Sequence, residues 1–291
     1  MTERPAEPWT IRRVVKWSSD DFAARGIESS RLDAELLVAH ALGIDRVRLY
    51  MDLDRPLIDA ELTRIRELVT RRRKREPIAY ILGAREFYGR SFAVSSAVLV
   101  PRPETETLIE RALELLADDA AGPALDLCTG SGCIAITLAA ERASLAVDAT
   151  DLSEAALAVA AKNAETLGVA ERVRFHRGDL FSAIGGAREY TLIACNPPYV
   201  AETDRAALAP EIVQHEPAMA VFGGRDGLDV LRRLCAACPR WLAPGGTILI
   251  EIGHDQGEVV AGMLRGAGLE GVEIVPDLSG RDRVAQARRP A

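Results

Sequence analysis

The chain has 291 residues, 48% of them hydrophobic and 27% charged, with 36 Lys and Arg against 43 Asp and Glu, for a net charge of −7 and a pI of 5.3. That composition predicts a globular protein with one large domain and one small one, and it speaks against duplex nucleic acid as a ligand, because DNA-binding domains usually have a pI above about 9. No apolar run approaches the roughly 20 residues of a membrane span. The start, Met1-Thr2-Glu3-Arg4-Pro5, lacks the basic-then-apolar plan of a secretory signal, and five cysteines form no disulfide framework, so a reducing, cytoplasmic setting is expected.

Residues 1–85 read as a helical domain. Ser30 followed by Asp33 predicts a capping box, Gly43 a helix end, and Leu32, Leu36, Leu37 and Ala41 an apolar face. A second helix is expected from Asp59, carrying Leu62, Ile65, Leu68 and Val69 and ending in Arg71-Arg72-Arg73-Lys74-Arg75. This part holds 17 Lys and Arg against 14 Asp and Glu, a balance of +3, whereas the remainder holds 19 against 29, or −10. The basic run has two readings: a solvated helix end, where cations favour the dipole, or a docking patch for an acidic protein partner. Residues 86–105 are expected to form a linker and an ordered lead-in, with Phe92–Val94 and Val98–Val100 strand-like and Pro101 and Pro103 bracketing Arg102.

Residues 106–291 alternate strands with helices, with strands predicted at 124–127, 145–150, 173–176, 191–195 and 247–252. This is the pattern of a doubly wound α/β sheet, in which ligands bind outside the carboxyl ends of the strands. The first strand, Leu125-Asp126-Leu127, runs into Cys128-Thr129-Gly130-Ser131-Gly132 and then an apolar helix. Gly130 and Gly132 permit a tight turn and close approach of a ligand, and the helix start offers free N–H groups to a carboxylate. The spacing also fits a dinucleotide fingerprint. Asp126 favours another ligand, since it would repel a pyrophosphate and suits an amino group; S-adenosylmethionine (SAM) has both a carboxylate and an ammonium. Asp151 ends the second strand, where an acid can accept from both ribose hydroxyls. Asp179, next to Leu180, ends the third and can accept from an adenine amino group. Each acid alone would pass as a turn or cap residue; three at successive strand ends make a cofactor site the better reading.

The fourth strand, Thr191–Cys195, ends in Asn196-Pro197-Pro198-Tyr199. Two prolines fix φ and supply no N–H, so they hold a rigid turn with free carbonyls. The Asn196 oxygen adds an acceptor and Tyr199 a flat face. Together they suit a planar NH2 group, as found in glutamine, adenine and cytosine. His215 follows this loop and is read as a bordering or structural residue. Cys235-Ala236-Ala237-Cys238 lies in a helical pattern and is read as apolar packing. No pair of histidines has metal-ligand spacing, so no metal is expected. The last two strands are predicted at Val272–Val275 and Val284–Ala287.

These segments resemble the HemK-type protein-(glutamine-N5) methyltransferases that act on peptide-chain release factors. The resemblance covers nearly the whole chain: Ser30–Leu37, Glu76–Gly83, Phe87-Tyr88-Gly89, Leu99–Glu106, the glycine loop, Asn196–Tyr199, Gly227-Leu228-Asp229 and Gly280–Arg283. Asn-Pro-Pro-Tyr alone is shared with adenine and cytosine methyltransferases; Arg102-Pro103-Glu104-Thr105-Glu106 narrows the match. Cys128 stands where many relatives have the first glycine of the loop, and ribosomal-protein glutamine methyltransferases often carry the same Asp-Leu-Cys-Thr-Gly-Ser-Gly. The resemblance implies a Rossmann-like SAM-dependent methyltransferase fold, mostly parallel with an antiparallel pair at the sheet edge, preceded by a small helical substrate-recognition domain. It implies SAM held by Cys128, Thr129, Gly130, Ser131, Gly132, Asp151, Asp179, Leu180 and Asn196, and the glutamine of a Gly-Gly-Gln tripeptide held by Asn196, Pro197, Pro198 and Tyr199. Asn196, Pro197 and Tyr199 are the catalytic candidates. A monomer is expected, with release factors as protein partners and with neither nucleic acid nor a membrane required. A ribosomal-protein substrate, a DNA adenine-N6 methyltransferase and a non-methylating nucleotide-binding Rossmann module are the alternatives.

Overall fold

The computed structural model describes residues 8–117, 122–185 and 188–291. The chain divides into two compact units, Met1–Gly83 and Ala84–Ala291. The first contains helices α1 (Ile11–Ala24), α2 (Ser30–Leu42), α3 (Arg46–Met51), α4 (Asp59–Arg73) and α5 (Ile78–Leu82). Its core joins Ile11, Phe22, Leu37, Leu49, Ile65 and Val69.

The start and inward face of α2 differ from expectation. Ser29, not Ser30, is the N-cap residue, and no side-chain oxygen caps the helix; the Ser29 hydroxyl instead donates to Asp33 at 2.9 Å. Gly43 ends α2 as expected, in the left-handed region at φ 66°. Leu32 is 43% exposed, while Asp33 and Glu35 are buried. Each acid is buried because it has partners: Arg72 donates to Asp33 at 2.7 Å, and Arg46, Tyr50 and Arg31 donate to Glu35. Alternation of apolar residues could not reveal this, because charges go inside only when paired.

The basic run is not a free patch either. Arg71 pairs with Glu76, Arg73 with Asp21, and Arg75 donates to the Arg25 carbonyl. Arg72, with its side chain 5% exposed, forms a buried ion pair with Asp33. Arg72 therefore turns inward to tie α4 to α2, whereas the Arg71 and Arg73 side chains keep 43% and 37% exposure at the helix end.

The second unit opens with a hairpin, β1 (Ala84–Phe87) and β2 (Arg90–Ala93), followed by α6 (Glu106–Leu115). Residues 86–105, read as linker and lead-in, lie in this unit, with Phe87 and Phe92 edge to face in its core. Val98–Val100 form no strand; they are loop with Val98 and Val100 buried. Then come β3 (Pro123–Leu127), α7 (Cys133–Glu141), β4 (Ala146–Asp151), α8 (Glu154–Thr166), β5 (Val173–Arg177), β6 (Tyr190–Cys195), α9 (Pro210–His215), α10 (Ala218–Val221), α11 (Asp229–Ala237), β7 (Leu242–Glu251), α12 (Gly257–Gly266), β8 (Glu270–Pro276) and β9 (Asp282–Arg288).

The seven-stranded sheet has the order β5-β4-β3-β6-β7-β9-β8. Strands β3 to β7 are parallel, and β9 pairs antiparallel with both β7 and β8, so the expected edge pair is present. Strand alternation divides two cores. Ala124, Leu192, Ala194 and Leu249 face α6 and α7, whereas Leu125, Leu127, Ile193, Ile248 and Ile250 face α11 and α12. Covering both faces is what allows these strands to be almost wholly apolar. Cys235 and Cys238 pack in the second core as free thiols, and burial pushes both up to about 12. Among the described residues, no helix is long and apolar enough to cross a membrane.

Candidate active site

The chain winds outward from β3 in one direction through β4 and β5, and in the other through β6 and β7. The switch point therefore falls between β3 and β6, where open α/β sheets bind ligands. Leu127 and Cys195 are paired in register. The glycine loop and Asn-Pro-Pro-Tyr, some seventy residues apart in sequence, thus start side by side.

A cavity of about 440 Å³ opens there, within the roughly 300–1,000 Å³ range of small-molecule sites. Cys128, Thr129, Gly130, Ser131, Asp151, Asp179, Leu180, Asn196 and Pro198 line it. Gly132, Pro197 and Tyr199 are not on its wall. Gly132 serves packing: a Cβ there would lie 2.7 Å from Ile136 Cδ1 and 3.1 Å from Ala160 Cβ, so its bareness lets α7 approach α8. Pro197 is buried, and Tyr199 turns its hydroxyl to Glu251 at 3.0 Å.

Asp126 is also absent from the wall, contrary to its expected contact with an amino group. It is fully buried, and Oδ2 accepts from the Thr129 hydroxyl (2.6 Å) and the Ala135 N–H (3.1 Å). It braces the turn from behind. Burial pushes its carboxyl up to about 7. Asp151 braces the front: its two oxygens accept from Gly130 N–H at 2.9 Å and Ser153 N–H at 2.8 Å. Asp179 Oδ2 accepts from Arg233, another wall residue.

Cys128 and Leu180 adopt φ of 61° and 50°, in the left-handed region, which costs an L-residue roughly 1–2 kcal/mol. This explains why glycine suits position 128. Cys128→Gly is expected to raise stability by about 0.5–1 kcal/mol, the relieved strain less glycine's entropy, read as a higher urea midpoint. A lower midpoint would mean that thiol packing outweighs the strain.

Several further residues shape the site without a role assigned from the sequence; Arg102, Thr105 and Gly227 stood there only within the segments that resemble the family. Asn163 on α8 accepts from Ala93 N–H and donates to the carbonyls of Ala93 and Ser131, clamping the hairpin to the glycine loop. Gly223 and Gly227 lie against the Asn-Pro-Pro-Tyr turn: a Cβ would come within 2.4 Å of the Pro198 carbonyl oxygen and 2.3 Å of the Tyr199 one. Gln256 donates to that Tyr199 carbonyl at 2.9 Å. The turn is rigid because it is packed from behind, as well as through its prolines. Glu216, at the end of α9, accepts from Arg102 and from the Val100 N–H, tying the lead-in to that helix. Beneath Asn196 lies a buried carboxylate, Glu251. The Asn196 amide nitrogen donates to Thr105 Oγ1 at 3.1 Å, and the Thr105 hydroxyl donates to Glu251 Oε2 at 2.6 Å. Burial raises the Glu251 pKa, opposed by the two hydroxyl donors and the charge of Arg283.

The wall suits SAM: acids at the ends of β4 and β5, a turn before a helix N-terminus, and acceptors beside them at Asn196. Open α/β sheets of several functions carry a cavity at this switch point, and the comparisons with known proteins place this one among the methyltransferases. Residues 13–83 match the family described as PrmC N-terminal domain, and residues 105–226 the family described as methyltransferase small domain. The chain is 44% identical to the release factor glutamine methyltransferase of Geobacter sulfurreducens, over 99% of both chains. It is 48% identical to the protein of the same name from Cereibacter sphaeroides, over 93% of this chain and 95% of the other. A methyltransferase from Pyrococcus furiosus shares the fold, with a TM-score of 0.53 at 16% identity, covering 70% of this chain and 91% of that one. The chain belongs to the release factor glutamine methyltransferase family.

Asp151→Ala is expected to act on the cofactor. The ribose contact expected of it would exist in ground and transition states alike, so the KM for SAM should rise more than kcat falls. A charge-assisted hydrogen bond is worth about 1.5–3 kcal/mol, roughly 10- to 100-fold in affinity. Calorimetry of SAM binding checks this; an unchanged Kd with a fallen kcat would remove Asp151 from the ribose.

Proposed function

We propose that this protein transfers the methyl group of SAM to the side-chain amide nitrogen of the glutamine in the Gly-Gly-Gln tripeptide of peptide-chain release factors. The observation that carries the reading is the placement of Asn196 beside the glycine loop on one cavity wall, through the paired ends of β3 and β6. The names of relatives similar over nearly the full chain support the acceptor. In this reading the protein acts in the cytoplasm as a monomer and needs no nucleic acid.

SAM supplies an electrophilic methyl group on sulfur. An amide nitrogen is a weak nucleophile, because its lone pair is delocalised into the carbonyl, so the protein's work is alignment and electrostatics. Asn196 Oδ1 and the Pro197 carbonyl accept the two amide hydrogens, which aims the nitrogen lone pair at the methyl carbon. Bound SAM would give up its methyl group to that lone pair and keep the C–S bonding pair on sulfur. Positive charge growing on nitrogen meets the two fixed dipoles, and the surplus proton then leaves to water. The products are N5-methylglutamine and S-adenosylhomocysteine. Pro198 and Tyr199 complete the substrate subsite, with Tyr199 excluding water beside the amide plane. Cys128, Thr129, Gly130, Ser131, Asp151, Asp179 and Leu180 hold SAM, with Gly132 shaping the turn. The first unit, residues 1–85 in the sequence-based division, recognises the body of the release factor.

The test is mass spectrometry after incubation with SAM, using an intact release factor and a short Gly-Gly-Gln peptide. A gain of one methyl on the glutamine is expected, with higher efficiency on the intact factor. No methylation of either would sink the reading, and equal efficiency on both would remove the recognition role of the first unit.

A further inference from the structure

We infer that Thr105 and Glu251 are positioning residues that fix which way the Asn196 amide faces. The inference rests on the role proposed above for Asn196. A side-chain amide presents an oxygen on one side and an NH2 on the other, and only the oxygen can accept a hydrogen from the substrate amide. Flipped by half a turn, Asn196 would offer hydrogens to hydrogens.

The network decides the orientation. In its ionised form, which the Thr105 and Tyr199 hydroxyl donors and the charge of Arg283 favour against the effect of burial, Glu251 can only accept, so it takes the Thr105 hydroxyl hydrogen at Oε2 and the Tyr199 hydroxyl hydrogen at Oε1. The 2.6 Å distance from Thr105 to Glu251 is short and matches a charge-assisted bond. Arg283, ion-paired with Asp277 at 3.0 Å, also donates to the Ile252 carbonyl one residue beyond Glu251, and its charge acts on Glu251 from there. With its hydrogen spent on Glu251, the Thr105 oxygen is left only as an acceptor. It therefore receives the Asn196 NH2 at 3.1 Å, and Oδ1 is left for the substrate. Glu251 ends β7, beside the β6 end that carries Asn196, and it is buried, so the relay is anchored in the sheet. The same carboxylate fixes Tyr199, so one buried anion orients two residues of the Asn-Pro-Pro-Tyr turn.

The test is a double-mutant cycle with kcat, KM and SAM affinity measured for each variant. Thr105→Val keeps the shape and removes the acceptor; it is expected to lower kcat about 10- to 100-fold, the scale of a misplaced reacting group, with SAM affinity within about threefold. Thr105→Ser restores the hydroxyl and should recover most of the rate. Glu251→Gln, of equal size, brings its own hydrogens and should lower kcat similarly, because Thr105 is then no longer forced to accept. In an Asn196→Ala background, Thr105→Val should cost nothing further. Wild-type kcat in Thr105→Val, or independent multiplication of the Thr105 and Asn196 effects, would overturn the relay. Failure of Thr105→Ser to recover activity would do so as well. Wild-type kcat in Asn196→Ala itself would instead sink the underlying role of Asn196.

Discussion

Asn196→Ala is expected to lower kcat about 10²–10³-fold, the usual cost of removing one positioned polar group from a reacting centre. The effect should appear in kcat more than in the KM for SAM, because the dipole matters most as charge develops on the substrate nitrogen. Asn196 lies at the end of a central strand whose neighbours Ile193 to Cys195 are wholly buried, so the truncation should leave the fold intact. Single-turnover methylation of a Gly-Gly-Gln peptide, alongside SAM binding by calorimetry, checks both halves. Near wild-type turnover would show that Asn196 Oδ1 does not hold the substrate amide.

Arg72→Ala is expected to destabilise the first unit by about 3–5 kcal/mol, the cost of leaving a buried charge without its partner. The Arg72 and Asp33 side chains are 5% and 2% exposed, and they join α4 to α2 across a separation of 39 residues. Replacing both with apolar residues, as in Arg72→Met with Asp33→Leu, should recover most of the loss, because well-packed apolar groups often match a buried ion pair. Urea unfolding of the single and double variants measures this. A single variant as stable as the wild type would return Arg72 to the surface. Any loss of activity on reversing charges in Arg71–Arg73 would accordingly report stability before it reported docking.

The place of Asn196 at a strand end on the cavity wall was legible because it is set locally: a polar residue and two prolines cannot continue a strand, and the strand before them is plainly apolar. Arg72 was misread for the opposite reason. In a run of five basic residues nothing marks the one that turns inward, since its partner Asp33 lies on another helix.

The strand order and the site follow the same division. Alternating strands and helices, the glycine loop and the acids at strand ends were determined by the sequence alone, because the backbone demands of a tight turn and the apolar demands of a doubly covered sheet act over a few residues. Which loop residues face the ligand was decided only by tertiary packing. Gly132 is bare to admit α8, and Asp126 stands behind Thr129. Thr105 and Glu251, 146 residues apart, meet beneath Asn196. A buried polar group must find a hydrogen-bonding partner, and in this protein that partner often lies on a distant element, where only the folded chain can supply it.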